Sequence, residues 1–165
     1  NEARESQKRR VPMLRKIAPD LEADELQGIA ECCLNSSVDG VIISNTTISR
    51  PLLQSRHAQE AGGLSGAPLF DLSTRQLAHF HLLTEGKIPL VGAGGISSAE
   101  KAWTKIRAGA SLLQIYSALV FQGPELVQEI LMGLSRKVSQ GKMGSLREAV
   151  GISANELAHQ SPVGK

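Results

Sequence analysis

The chain has 165 residues, enough for one domain with a sizeable core, and 41% of them are hydrophobic, as in ordinary globular proteins. Eighteen Lys and Arg stand against sixteen Asp and Glu, a formal net charge of +2. That balance gives no support to nucleic-acid binding, which needs a concentrated basic surface. No run of about eighteen apolar residues occurs, so no segment reads as a membrane-spanning helix.

Basic residues cluster only at Arg4, Lys8, Arg9 and Arg10, and residues 1–10 read as a flexible, solvated loop. Val11–Ala18 (VPMLRKIA) is a short apolar run broken by Arg15 and Lys16, a buried-strand pattern ended by Pro19. Asp20 is placed to cap the helix that follows. There Leu26, Ile29, Ala30, Cys33 and Leu34 share one face, and Glu22, Asp24 and Glu25 crowd the first turn, where the helix dipole favours acids. Cys32 and Cys33 are adjacent within that pattern, so they offer neither a disulfide framework nor metal spacing.

Val38–Ser44 (VDGVIIS) is a continuous β-branched strand, as expected where both faces are buried. It leads through Asn45-Thr46-Thr47 into a connection of roughly twenty residues, far beyond the usual length, and long loops in compact domains tend to be functional. That loop carries Gly62-Gly63-Leu64-Ser65-Gly66, whose glycines let backbone approach a ligand. A helix is predicted over Asp71–Thr84, with Leu72, Leu77, Phe80 and Leu83 inside. Ile88–Val91 is the third strand, followed by Gly92-Ala93-Gly94-Gly95 and an S-x-x-E capping pattern at Ser97 and Glu100. Ala99, Ala102, Trp103 and Ile106 form the inner face of the next helix, and Ala110–Ile115 the fourth strand. Tyr116–Gly123 reads as a loop, and Pro124 suits the first turn of a last long helix. Beyond Gly141 only Leu146–Val150 shows a helical pattern.

Strict alternation of four strand–helix units predicts a parallel sheet. An open doubly wound sheet and a (β/α)8 barrel both fit. Glycine-rich loops after the last two strands favour the barrel, whose phosphate site is built from the loops after strands seven and eight. The expected fold is α/β, the second half (strands five to eight) of a TIM (β/α)8 barrel. Residues 11–150 would form that half barrel and 151–165 a C-terminal tail. The other half is expected upstream, in keeping with a chain that starts at Asn1 without Met or a signal-like segment.

The Gly92–Gly95 loop and the loop at Tyr116-Ser117 lie one βα unit apart, so their N–H groups can face one anion. Taken singly, the first is equally a tight strand–helix turn, Tyr116 a packing residue and Ser117 a helix cap. Lys16, near the end of an apolar strand, is either a snorkelling side chain or a cation facing a ligand. Asn45 and Thr46 stand where a barrel puts ligand contacts, and Asn suits a planar ring with alternating carbonyl and N–H groups. Spacing alone allows a simple Asn-stabilised turn there. His57, His79 and His81 show no metal or triad spacing and read as surface or loop residues. No metal site is expected.

KIAPD (Lys16–Asp20), SNTTISRP (Ser44–Pro51), GGLSGAPL (Gly62–Leu69), DLST (Asp71–Thr74), GAGGISS (Gly92–Ser98) and IRAGASLLQIYSALVFQGP (Ile106–Pro124) occur in one order. Together they closely resemble the quinone-dependent, class 2 dihydroorotate dehydrogenase family over nearly all of residues 11–138. The resemblance implies FMN as cofactor, dihydroorotate and orotate as substrate and product, and a ubiquinone-type quinone as electron acceptor. It implies flavin or phosphate contacts for Lys16, Ser44, Gly66, Gly94, Gly95, Tyr116 and Ser117, and orotate contacts for Asn45 and Thr46. Ser44 and Ser117 are commonly Thr in the family. Tyr116 and Val120–Pro124 would lie near the quinone channel. The family's catalytic serine base has no counterpart here and is expected upstream, so this segment alone should be inactive. Peripheral membrane contact through an N-terminal segment, at the mitochondrial or a bacterial inner membrane, is implied as well. A non-catalytic FMN-binding half barrel, or another phosphate-binding barrel oxidoreductase, is the alternative.

Overall fold

The computed structural model describes residues 11–50, 53 and 55–160. The predicted basic loop at 1–10 and the end of the predicted tail, from residue 161, lie outside the described residues. Four short strands form one sheet: β1 (Leu14–Ile17), β2 (Gly40–Ile43), β3 (Leu90–Ala93) and β4 (Leu112–Gln114). All pairs are parallel, and spatial order equals chain order. The crossovers run through α1 (Ala23–Leu34), α2 (Phe70–Leu83) and α3 (Ala99–Arg107). Consecutive order decides between the two architectures. A doubly wound sheet reverses its strand order to cover both faces. Right-handed crossovers between successive neighbours instead put every helix on one side, as in a barrel wall.

β2 and β3 are the buried strands, with Val41, Ile43, Leu90 and Val91 almost wholly covered. One core packs α1 and α2 on the sheet through Leu26, Ala30, Cys33, Leu77, Ala78 and Phe80. A second joins α3 to α5 (Glu125–Gln140) through Ala102, Ile106, Leu126, Ile130 and Leu134. The strands are shorter than their apolar runs because pairing, not hydrophobicity, sets their ends. Met13, for example, leaves the ladder to exchange hydrogen bonds with Asp39.

Several local expectations change. Asp20 does not cap α1; Glu22 does, in a reciprocal capping box with Glu25. Asp20 instead turns to the loop after β2. The cap of α3 is Ser98, whose side chain accepts from the Lys101 N–H at 3.3 Å, rather than Ser97. The predicted loop Tyr116–Gly123 contains a short helix, α4 (Ser117–Gln122), stopped by Gly123 at φ +80°. Past a 3₁₀ turn at Leu146–Ala149, α6 (Ala154–Ala158) seats Leu157 and Ala158 in the first core. Five residues are too few to show a helical period, and so 151–165 reads only as a tail in sequence.

His81 is half-buried, not a surface residue. Three glycines with positive φ surround its ring: Gly86, Gly109 and Gly151. A Cβ at Gly109 would lie 2.5 Å from the His81 Cβ, and one at Gly151 2.1 Å from Nε2. Gly151→Ala should therefore lower stability by about 1–3 kcal/mol through clash and positive φ together. An unchanged denaturation midpoint would show that the ring moves aside freely. Burial lowers the affinity of His81 for a proton below the ordinary imidazole value of 6.5, and His79 shifts the same way, first through burial and then through His159 and Arg75. The unfolded chain therefore protonates first as pH falls. Stability should be complete above 6.5 and decline below it, a slope that denaturant titrations across that range measure and that should shrink in His81→Gln.

Candidate active site

The C-terminal ends of all four strands open on one rim, where they line a cavity of about 810 Å³. β1 contributes Lys16, β2 is followed by Ser44, Asn45 and Thr46, and the long loop adds Ser65 and Gly66. β3 ends in the Ala93–Ser97 turn and β4 in Gln114–Ser117, with Phe121 and Gln122 of α4 closing one side. Lys16, Ser44, Asn45, Thr46, Gly66, Gly94, Gly95, Tyr116 and Ser117 all line this one cavity, so the fold brings together the residues expected to contact flavin and orotate. Among the described residues, Lys16 is the one charged residue in the lining, which includes no carboxylate. Such a wall favours an anionic ligand.

Each side chain has a local cause. Register pairs Lys16 with Ile42, and the Asn45 N–H continues the ladder by donating to Ile17 O at 2.8 Å. Ser44 is buried; its N–H donates to Ala93 O at 3.3 Å and its hydroxyl to Asn45 O at 2.9 Å. Asn45 Oδ1 accepts from the Thr46 N–H at 2.9 Å, which leaves the amide NH₂ for a ligand. Gly63 admits Thr46, since a Cβ there would lie 2.0 Å from Thr46 Oγ1. Across the cleft Ser65 Oγ and Ser117 Oγ are 3.0 Å apart, joining the glycine loop to the start of α4. The first N–H groups of α3 have no partners within the helix, and Ile96 and Ser97 of that turn line the cavity.

Two anchors missed in sequence hold the long loop. Asp20 accepts from Thr47 Oγ1, from Ser49 Oγ at 2.9 Å and from the Ile48 N–H at 3.2 Å. Partial burial pushes its carboxyl up, but these hydrogen bonds outweigh that and hold it below the ordinary 3.8. Arg50 donates to the carbonyls of Glu60 at 2.9 Å and Gly62 at 2.6 Å, drawing the far limb of the loop back. The length of the loop alone signalled a need for anchors, but not which residues would supply them.

A third residue missed in sequence is Lys105, fully buried on α3 behind the Gly94–Gly95 turn. Ala102, Lys105 and Gly109 recur at i, i+3 and i+7, which puts Lys105 on a face of small residues. Among the described residues, no three His, Cys, Asp or Glu converge as a metal site would need.

Four consecutive parallel βα units with a glycine-lined, cationic cleft at their C-terminal rim define a barrel-type protein whose ligand site lies at the strand ends. The chain belongs to the dihydroorotate dehydrogenase family, whose model matches residues 2–138. It is 52% identical over 151 residues to the dihydroorotate dehydrogenase (quinone) of Parvibaculum lavamentivorans, covering 91% of this chain and 43% of that protein. It is 53% identical over 142 residues to the mitochondrial dihydroorotate dehydrogenase (quinone) of rice, covering 85% of this chain and 30% of that one. Among solved structures, dihydroorotate dehydrogenase of Eimeria tenella in complex with ferulenol superposes with a TM-score of 0.85 at 34% identity, over 90% of this chain and 40% of that one. The chain thus spans less than half the length of these relatives.

Asp20→Ala should free the Thr47–Ser49 segment. Proteolytic nicking within 48–62 should rise about tenfold, the factor for about 1.4 kcal/mol of lost hydrogen bonding. Unchanged nicking would mean that Arg50 alone holds the loop. Because the Asp20 carboxyl is held low, its contribution should persist above 3.8 and vanish as pH falls through its lower folded value.

Proposed function

We propose that this chain is the cofactor-phosphate and substrate half, strands five to eight, of an FMN-dependent dihydroorotate dehydrogenase that uses a quinone. The observation that carries the reading is the one cleft where Lys16, the Asn45-Thr46 pair and three glycine-rich or helix-start loops meet, with no carboxylate among the described residues that line it. Backbone N–H groups, the hydroxyls of Ser65, Ser97 and Ser117 and one ammonium make a donor set suited to a phosphate and an electron-rich ring. FMN fits that set. Bound flavin would supply two-electron chemistry, accepting hydride from dihydroorotate and passing the electrons on to quinone.

The chain's own residues bind and orient. Gly66, Gly94, Gly95, Tyr116 and Ser117 would hold the flavin and its phosphate, and Ser44 would also touch the flavin. Lys16 lies in the mouth and stabilises negative charge on the reduced ring. Asn45 and Thr46 hydrogen-bond the pyrimidine ring of dihydroorotate and orotate through groups the loop anchors keep in place. Proton abstraction requires a positioned base, which the proposal assigns to a serine in the other half of the barrel. That half would cover the exposed Leu14 and Leu112 on the edge strands. Tyr116, Val120 and Phe121 are also exposed, at 83%, 74% and 85%, an apolar face suited to a quinone beside the flavin. The membrane assignment follows the quinone: a mitochondrial or bacterial inner membrane, reached through a segment outside the described residues. Among those residues no helix is long and apolar enough to cross a membrane.

The complete protein should be yellow and should bleach anaerobically when dihydroorotate is added. Flavin that is retained but not bleached would rule out this substrate and leave a non-catalytic flavin barrel. Lys16→Ala should lower flavin affinity and turnover together, each by about tenfold or more for one charge-assisted bond. Asn45→Ala should leave flavin content intact and weaken dihydroorotate binding by about ten- to a hundredfold. Unaltered dihydroorotate kinetics in that variant would take Asn45 out of the substrate site.

A further inference from the structure

Lys105 is the most deeply buried ionisable side chain near the cleft, with no exposure to solvent. Burial pushes its ammonium well below the ordinary lysine range, against a smaller pull from Asp71. A buried amine is costly unless its donors are used, and a Met or Leu would fill the same space without that cost. Its bonds show where the donors go. Nζ donates to Ser73 Oγ on α2 at 2.5 Å and to the Ala93 carbonyl at the end of β3 at 3.3 Å. The Phe70 ring covers the amine, its centroid 5.2 Å away. Ser73 Oγ lies 3.1 Å from the Phe70 carbonyl and 3.4 Å from the Gly94 carbonyl. The amine therefore fastens three elements, α2, α3 and the β3 exit, at one point behind the cleft.

The consequence follows from peptide geometry. In a trans peptide the carbonyl and the next N–H point opposite ways. A Gly94 carbonyl turned inward to Ser73 turns the Gly95 N–H outward, on the side where Gly94 and Gly95 line the cavity. We propose that Lys105 is the positioning residue of the anion clamp: through Ser73 and the Ala93 and Gly94 carbonyls, it sets the Gly94–Gly95 peptide with its N–H toward the bound phosphoryl group. The proposal rests on the reading of this cleft as a phosphate site and adds to it a residue that never touches the ligand. Its effect falls mainly on the phosphate end, because Asn45 and Thr46 are held by other bonds, and Ser44, whose N–H shares the Ala93 carbonyl, keeps its hydroxyl on Asn45 O.

The test compares FMN with riboflavin, which lacks the phosphate, by flavin fluorescence quenching on the flavin-stripped complete protein. The unsubstituted protein should prefer FMN. Lys105→Met keeps the volume and removes the donor. It should cut the FMN-over-riboflavin preference about tenfold, the loss of one well-placed hydrogen bond to an anion, and leave riboflavin affinity within about twofold. A preference that survives intact, or equal losses for both flavins, overturns the positioning role. If Lys105→Met does not fold, Ser73→Ala decides, since it keeps the lysine and breaks the link to Gly94. A fall in preference then supports the relay and an unchanged preference refutes it. Equal affinity of the unsubstituted protein for the two flavins would refute the phosphate site itself, and the relay with it.

Discussion

The arrangement depends on how closely the turn after β3 approaches the start of α2. A Cβ at Gly95 would lie 2.6 Å from the Phe70 Cβ, and one at Gly94 2.9 Å from Ser73 Oγ and 3.0 Å from Leu69 Cδ2. Both glycines also adopt positive φ, +97° at Gly94 and +72° at Gly95, conformations that other residues enter only with strain. The strand exit therefore rests directly on the helix N-terminus. That contact draws the 62–66 loop, which feeds α2, to the same rim as the entry to α3.

A second constraint is electrostatic. An anion site built from N–H groups and hydroxyls works only if carboxylates are kept out of it. The acid close in sequence to Lys16 is Asp20, and it is engaged by Thr47, Ser49 and Ile48. Its charge is thereby spent on holding the long loop and not on neutralising the cleft. Arg50 answers a matching demand at the other limb, where the loop carbonyls of Glu60 and Gly62 need donors. Asp20 and Arg50 are scaffolding for that loop, while Lys16 stays in the mouth.

Much of this was legible in the sequence because it follows from local rules. Alternation of β-branched runs with helical periods announced a parallel α/β chain, and the glycines at 62–66 and at the exit of β3 marked the rim. What escaped notice had no local signature. α4 is six residues and α6 five, too short for an apolar period to appear. Lys105 shares a face with Ala102 and Gly109, but a charge there reads as exposed, and the placement of α2 is what closes that face over it. Asp20 satisfies the rule for a helix cap, and it is the loop 27 to 29 residues away that claims it.

Residue order alone determined the fold class, the family and the identity of the residues around the cleft, because strand patterning, glycine spacing and motif order are properties of the chain. The tertiary structure decided which side chains became supports. Long-range partners set the roles of Asp20, Arg50, His81 and Lys105, and their burial and hydrogen bonds exist only once separate βα units pack. A helix face or a loop acid has no environment until its neighbour arrives.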